Sequence, residues 1–179
     1  MNNQIIKFLA ASTTILSAST ILPVLANPIP DNLKVPNQQV LLLDAQAKGV
    51  QIYVCKLKAK TTNEYEWTLK APKAILINSK NGNYIGKHYG GPTWEANDGS
   101  KVIGEMKTRV NPPSTNTIPW LLLTAKSHVG DGIFSKVNYI QRVDTTGGKA
   151  PNSGCNYDRI NAVSRVNYTA TYYFYSAAR

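Results

Sequence analysis

Residues 166–175 have the sequence VNYTATYYFY, and this stretch decides the fold class. Side chains that suit a core alternate with side chains that suit water, and a period of two is typical of a strand with one buried face. No long helical period competes with this pattern elsewhere in the chain. We therefore predict a strand whose inner face consists of Val166, Tyr168, Ala170, Tyr172 and Phe174.

The same alternation recurs in the middle of the chain and predicts further half-buried strands. It directs Arg109 and Arg142 to the solvent, whereas Val110 and Val143 are directed to the core. Other runs are apolar on both faces, which predicts strands that are covered on both sides. The alternating stretches are 65–69, 101–110 and 133–143, and the doubly apolar runs are 40–43, 74–77 and 120–123.

Glycine-containing turn signals separate these stretches, at residues 81–82, 97–99, 131–132 and 147–148. Such turns connect antiparallel neighbours, and the spacing leaves room for about eight or nine strands. The predicted fold class is all-β, either an antiparallel β-sandwich or a barrel. A glycine- and proline-rich loop near residues 147–154 is expected to be pinned by a disulfide.

The first 26 residues have the features of a secretory signal peptide. A positive charge at Lys7 precedes an apolar run, and Ala26 ends a cleavage site of small residues. An uncleaved membrane anchor is the alternative, but the run is short and is followed by a proline. We expect a secreted or periplasmic protein with no transmembrane segment after cleavage. The expected divisions are 1–26 (signal peptide), 27–38 (N-terminal extension) and 39–179 (single β-rich domain).

The chain contains two cysteines, Cys55 and Cys155. An even pair in an exported chain is most simply a disulfide, and no CxxC spacing points to zinc or redox chemistry. The bond would close a loop of about 100 residues, for which the chain-entropy estimate of stabilisation is ~4.7 kcal/mol. We therefore predict a Cys55–Cys155 disulfide that ties an early strand to the glycine-rich loop.

The chain is basic, with 20 lysines and arginines against 10 acidic residues and a net charge of +10. The lysines are scattered rather than clustered, which is typical of a solvated surface. The functional alternative is weak attraction to an anionic cell-surface polymer or glycan. We do not expect nucleic acid as a partner, because an exported protein rarely meets it.

Residues 86–100 are the most unusual segment, and we expect them to form a long loop. Flat aromatic faces beside hydrogen-bonding groups favour the binding of sugar rings or of a peptide, with Trp94 as an exposed platform. The alternative is that Trp94 fills the core. Tyr173 and Tyr175 are a second candidate platform, or else a second covering layer. The candidate ligand-binding residues are Tyr84, His88, Tyr89, Trp94, Glu95, Asn97 and Asp98.

An enzymatic alternative uses the same segment. Glu95 and Asp98 could act as paired carboxylates. Alternatively, His88 with one of these two, and with His128 or Asp131, could form a metal site or an acid/base site. The chain has only two histidines and lacks HExxH and GxSxG spacing. We therefore favour a non-catalytic binding or envelope-associated domain without cofactor or metal, and assign no catalytic residue. A small hydrolase or metal-dependent enzyme remains the alternative.

Five stretches together resemble the domain of unknown function 3455 family of secreted bacterial and fungal proteins. The resemblance implies no activity, because the family has none established. It implies that both cysteines belong to family motifs, as does the loop that carries the glycines and Trp94. The stretches are AKGVQIYVC (47–55), IGKHYGGPTW (85–94), IPWLLL (118–123), FSKVNYIQRV (134–143) and GGKAP (147–151) up to Cys155.

Overall fold

Eight antiparallel strands form one closed barrel in the computed structural model, which describes residues 28–112 and 114–178. Each strand pairs with its neighbours in sequence, and the last strand closes the barrel against the first. The predicted all-β fold is confirmed, and the architecture is the barrel rather than the sandwich. The predicted signal peptide lies outside the described residues. The strands are β1 (Gln39–Leu57), β2 (Tyr65–Asn78), β3 (Tyr84–Tyr89), β4 (Thr93–Ala96), β5 (Lys101–Val110), β6 (Trp120–Val129), β7 (Tyr139–Gly147) and β8 (Val163–Ala177).

The helical content of the described residues consists of three short 3-10 helices, Asp31–Leu33, Ile133–Lys136 and Tyr157–Arg159. None of these is long and apolar enough to cross a membrane. The second helix covers one end of the barrel, because its Phe134 is fully buried and its ring centroid lies 4.8 Å from that of Phe174.

The barrel core is built from inward-facing residues of all the long strands. In β8 the predicted alternation is confirmed, since Tyr168, Ala170, Tyr172 and Phe174 are all buried. The neighbouring strand β1 contributes small side chains such as Ala45 and Ala47, which leave space for the large rings of β8. Large and small residues therefore interdigitate across the barrel.

The segment 86–100 is not the long loop that its glycines suggest. It contains β3 and β4, which pair with each other across a short turn at residues 90–92. Strand pairing fixes which side chains point inward, so the residues of this segment are divided between the two faces of the wall.

A bulge in β5 reverses the alternation predicted for that strand. Met106 pairs with Leu123 and Thr108 pairs with Leu122, so Lys107 is the extra residue. One extra residue exchanges the two faces of the strand beyond it. Arg109 is consequently turned toward the inside of the barrel and Val110 toward the outside, the opposite of the prediction.

A second hydrophobic layer covers the outer face of β6 and β7. Leu33, in the N-terminal segment 28–38, is fully buried against Trp120, Leu122 and Val143. We call this set the outer layer. Val143 is therefore buried outside the barrel, and the prediction that it faces the inner core is wrong. Its neighbour in sequence, Arg142, points to the interior, because successive residues of a strand face opposite sides.

The predicted disulfide between Cys55 and Cys155 is present, with Cα atoms 5.3 Å apart. It joins the end of β1 to the long connection between β7 and β8. The indole nitrogen of Trp67 donates a hydrogen bond to the Ser153 carbonyl at 2.9 Å, a second attachment of the same connection. These two contacts hold the glycine-rich segment against the barrel, as expected for a region with few apolar side chains.

Candidate functional site

A cavity of about 420 Å³ lies inside the barrel near one of its ends. This end, which we call the mouth, carries the β3–β4 turn (residues 90–92) and the described residues of the β5–β6 connection (111–112 and 114–119). Residues 90–92 and Pro119 line the cavity together with buried side chains of the core. The lining thus runs from solvent into the barrel, and we call this space the interior cavity.

Three buried rings form one wall of the interior cavity. His88 of β3 stacks on Trp94 of β4, with ring centroids 4.3 Å apart and planes inclined by 12°. Tyr172 of β8 meets both rings edge-on, with centroids 5.3 Å from His88 and 5.4 Å from Trp94. Stacked and edge-on pairs of this kind add about 0.5–1.5 kcal/mol each beyond area burial. The rings therefore form a rigid, flat-sided wall.

Gly104 of β5 makes room for the indole of Trp94. A Cβ atom at this position would lie 2.9 Å from the Trp94 ring and 3.2 Å from Leu123. The first distance is shorter than side chains tolerate, and the indole is held by its neighbours, so the ring would have to shift. The absence of a side chain at Gly104 sets the depth at which Trp94 sits.

His88 is held neutral inside the barrel. Its Nδ1 lies 2.9 Å from the carbonyl oxygen of Thr93, and because a carbonyl only accepts, Nδ1 carries the proton. Burial lowers the pKa of His88 to about 3, partly opposed by this hydrogen bond, and the charge of Arg142 lowers it further. At neutral pH the histidine contributes a flat ring and no charge.

Three residues that line the cavity each carry a buried polar atom without a hydrogen-bond partner among the described residues: Gln51 Nε2, Trp94 Nε1 and the Tyr172 hydroxyl. Gln51 is 2% exposed, and Trp94 and Tyr172 are 1% exposed. A buried polar group without a partner costs about 1–3 kcal/mol, so native proteins rarely leave several together. This cluster is the strongest chemical feature of the cavity.

Arg142 of β7 brings a positive charge to the same wall. Its Nε and Nη2 atoms donate to the carbonyl oxygen of Pro119, at 3.1 and 2.8 Å. Among the described residues it forms no ion pair with a carboxylate. Burial raises the pKa of the Tyr172 hydroxyl, and the nearby charge of Arg142 opposes that rise. The guanidinium is therefore a half-buried charge beside two neutral groups, the Pro119 carbonyl and the Tyr172 hydroxyl.

The rim of the interior cavity carries further positive charge. Lys70 and Arg109 are exposed and line the opening, and Met106 lies beside them. Arg109 reaches this rim only because the β5 bulge turns it inward. No aspartate or glutamate lines the cavity in the described part of the chain.

Glu95 and Tyr89, two of the predicted site residues, lie on the opposite face of the wall from His88. The Tyr89 hydroxyl donates to Glu95 at 2.7 Å, while Lys87 and Lys101 form ion pairs with the same carboxylate at 3.2 and 3.3 Å. The hydrogen bond from Tyr89, reinforced by the two lysines, lowers the pKa of Glu95 to about 2. This cluster is an exterior charge network and does not contact the cavity wall.

Three other predicted residues lie at the opposite end from the mouth, with Tyr84 at the start of β3 and Asn97 and Asp98 in the β4–β5 turn. The side-chain amide of Asn97 donates to the carbonyl oxygen of Tyr84 at 2.9 Å, and the Tyr84 ring is about half exposed. Asp98 accepts hydrogen bonds from the backbone and hydroxyl of Ser100 and from the Ile133 backbone. These bonds, the Ser100 hydroxyl first, lower the pKa of Asp98. Asn97 and Asp98 therefore close turns and are separated from the cavity.

Trp94 is buried, so the expectation of an exposed Trp94 platform is wrong, although the ring lines the cavity. Tyr173 and Tyr175, the second candidate platform, lie on the outer face of β8. Tyr173 packs against the outer layer, and the Tyr175 hydroxyl donates to Gln141 at 2.8 Å. Their surroundings are those of a covering layer, and a binding role for them stays a prediction.

The alternative catalytic centre is not assembled. His88 lies inside the barrel, Glu95 outside it and Asp98 in the β4–β5 turn, so the three groups cannot act on one substrate atom. His128 is exposed, with Nε2 2.8 Å from the Val137 carbonyl. The described residues contain no group of three or more side chains that could hold a metal ion.

Sequence analysis missed three polar residues of the cavity, Gln51, Arg109 and Arg142. Gln51 lies in a strand with polar residues on both faces of its sequence pattern, and only its pairing shows that it points inward. Arg109 is displaced by a bulge, and Arg142 was predicted outward because the apolar Val143 next to it was assigned to the inner core.

The chain matches a family described as "Protein of unknown function (DUF3455)" over residues 36–176. It belongs to this family. No curated protein and no solved structure matches it. The matched DUF3455 range includes every residue that lines the interior cavity, whereas Leu33 of the outer layer precedes it. The family resemblance inferred from the sequence motifs is confirmed.

Proposed function

We propose that this DUF3455 protein is an exported, non-catalytic binding domain that holds a small organic molecule in the interior cavity. The observation that carries the proposal is the set of three buried donors, Gln51 Nε2, Trp94 Nε1 and the Tyr172 hydroxyl, which have no partners among the residues that the structure describes. A ligand that accepted hydrogen bonds from them would offset the cost of their burial. The same atoms would fix its orientation.

The size and shape of the cavity support this proposal. Sites for small molecules typically measure about 300–1,000 Å³ and combine apolar walls with a few polar groups. The interior cavity has about 420 Å³, with the stacked His88 and Trp94 rings on one side and Leu121 and Leu123 among the other lining residues. A flat molecule of one or two rings suits such a space.

Export is part of the proposal and has its own support. A disulfide such as Cys55–Cys155 persists in oxidising compartments and is rare in the cytosol. The predicted cleavage after Ala26 would leave a mature chain that starts at Asn27. Mass spectrometry of the protein recovered outside the cytoplasm tests this, and an intact N-terminus there would contradict it.

The binding experiment compares the protein with a variant whose cavity is reduced. Naphthamide, a flat neutral probe, and naphthoate are titrated by calorimetry, and the melting temperature is followed in parallel. Leu121→Phe places a larger ring at the cavity wall, and Leu57→Phe makes the same change at an exposed position outside it. We expect binding to the natural chain and to L57F, and at least roughly tenfold weaker binding to L121F. Equal responses of all three chains, or no binding of either compound, would overturn the proposal.

An envelope-associated role has a separate observation in its favour. A groove of about 730 Å³ on the outer face of β1, β2 and β3 is lined by Lys48, Lys73 and Lys87 together with Tyr84 and Tyr89. Glu95 belongs to the same lining and pairs with Lys87, whereas Lys48 and Lys73 form no ion pair among the described residues. Lysines beside aromatic faces suit an anionic polysaccharide, whose charges and sugar rings match the two types of group. Alginate is a suitable probe, and its retention should fall with added salt and in Lys48→Ser/Lys73→Ser. Retention that is equal in both chains would count against this groove.

A further inference from the structure

We infer that the ligand of the interior cavity is a small organic anion, a flat apolar ring system carrying a carboxylate, and that Arg142 binds its acid group. This inference rests on the proposed binding function and specifies its ligand class. Of the three charged residues that line the cavity in the described barrel, Lys70 and Arg109 are exposed at the rim and only Arg142 is half-buried.

The first argument is the inventory of hydrogen-bonding groups. Gln51 Nε2 and Trp94 Nε1 can only donate, and the Tyr172 hydroxyl has a proton to give. His88 adds no donor to this set, because its single proton is on Nδ1 and Nε2 is an acceptor. Three unpartnered donors around one space call for a ligand rich in acceptors. A carboxylate offers about four lone-pair sites and no proton.

The second argument is charge. Arg142 has no carboxylate partner among the described residues, and its hydrogen bonds to Pro119 use two of its donors on one carbonyl oxygen. A guanidinium has five N–H donors in a fork that fits a carboxylate. Lys70 and Arg109 add positive charge at the rim, and the described lining has no acidic residue to cancel it. The field of the cavity therefore attracts anions and repels cations.

The third argument is the position of Arg142 relative to the aromatic rings of the cavity wall. Tyr172 meets the His88–Trp94 stack edge-on, and the charge of Arg142 acts on both Tyr172 and His88. The cationic group and the aromatic wall are thus parts of one site. A ligand with its ring against Leu121 and the aromatic wall can present its acid group to Arg142. A bare inorganic anion would leave the apolar lining without contacts.

The test compares two compounds that differ only in charge, naphthoate and naphthamide, on the full-length mature protein. We expect naphthoate to bind at least about tenfold more tightly, the factor typical of a hydrogen bond to a charged group. In Arg142→Gln this preference should disappear. Arg165→Gln makes the same substitution at an exposed residue of β8 that does not line the cavity, and it should leave naphthoate affinity unchanged.

A third variant separates loss of charge from disturbance of the fold. Arg142→Lys keeps the charge but not the fork, so it should retain part of the preference for the acid, while the melting temperatures report whether each variant folds. Acetate should bind much more weakly than naphthoate, because it lacks the ring system. Equal affinity for the acid and the amide, or an unchanged preference in a folded R142Q, overturns the anion inference and leaves the binding proposal standing. If neither compound binds, the binding proposal itself fails.

Discussion

Gln51 and Gln141 are both 2% exposed, yet they lie on opposite faces of the barrel wall and have opposite surroundings. Gln141, beside the outer layer, donates to the Leu33 carbonyl at 2.6 Å and accepts from the Tyr175 hydroxyl at 2.8 Å. Gln51 Nε2, on the cavity wall, has no partner in the described chain. The comparison separates two uses of buried polarity. The amide of Gln141 is satisfied within the fold, whereas the amide of Gln51 is available to a ligand. The contrast holds for the two glutamines, because Trp120 Nε1 in the outer layer also has no partner among the described residues.

The largest expected effect concerns the outer layer. Leu33→Ala removes a fully buried side chain from the contact between segment 28–38 and the barrel, and should lower the free energy of unfolding by about 2–5 kcal/mol. Urea titration gives the value. Naphthoate affinity of the folded variant should be unchanged, because Leu33 does not line the cavity. A parallel loss of affinity would show that the two faces are not independent.

His88, on the inner face, should make the largest contribution to the change in the free energy of unfolding between about pH 7 and about pH 4. The pKa of His88 falls from 6.5 to about 3 on folding, so the unfolded chain binds its proton first as the pH drops. Its stabilising contribution is complete above about pH 6.5 and decreases down to about pH 3. We expect a loss on the order of 3 kcal/mol between about pH 7 and about pH 4, absent in His88→Gln.

Urea titrations over this pH range measure the effect, and His128→Gln serves as the control at an exposed histidine. That variant should keep the pH dependence of the natural chain. The exterior carboxylate Glu95 affects stability at a lower pH than His88 does. Its stabilising contribution is complete above about pH 4.5 and is lost as the pH falls through about 2. A natural chain whose stability is constant between about pH 7 and about pH 4 would contradict the burial of a neutral His88.

The two glutamines give a smaller and more direct contrast. Gln141→Leu leaves the Leu33 carbonyl without its amide donor and the Tyr175 hydroxyl without its acceptor, and should cost about 2 kcal/mol. Gln51→Leu removes an unpaired amide and should leave stability within about 1 kcal/mol or raise it, while weakening naphthoate binding. Chemical denaturation and calorimetry on both variants measure this. Equal destabilisation by the two substitutions would contradict the difference that we infer between Gln51 and Gln141.

The smallest expected effect concerns the shape of the cavity. Gly104→Ala places a Cβ atom against the Trp94 ring and should cost about 1–2 kcal/mol while shifting the indole. Tryptophan fluorescence and naphthoate affinity should therefore change together. Glycine to alanine at exposed Gly91 is unsuitable as a control because of its positive φ of 98°. Leu57→Ala, at an exposed strand end, is the better comparison and should leave both signals unchanged.

The fold class could be predicted from alternation, because the core of β8 follows it without interruption. The same rule failed at Arg142 and Val143, since it assumes that only the inside of a wall is apolar, whereas Leu33 buries the outside as well. It failed at Arg109 because a bulge shifts the pairing without any residue that marks it in the sequence. The disulfide was predictable from the even number of cysteines and the expected export of the chain.

The candidate site was predictable only in part. His88 and Trp94 were identified, and they do line one cavity. Glu95 and Asn97 were grouped with them because they are neighbours in sequence, but strand geometry sends alternate side chains to opposite faces. Gln51 and Arg142 come from strands far along the chain, so closure of the barrel brings them to the same wall.

The way the barrel closes also constrains how the chain can fold. β1 pairs with β8 from Gln39↔Ala177 to Val54↔Val163, so the first strand finds one of its two neighbours at the far end of the sequence. Such distant pairings are slow to form, because the intervening chain must be ordered first. Until the last strand arrives, β1 and β7 each present an unpaired edge able to capture strands from other molecules. Once β8 is in place, the described sheet has no such edge, and other molecules must engage its side chains.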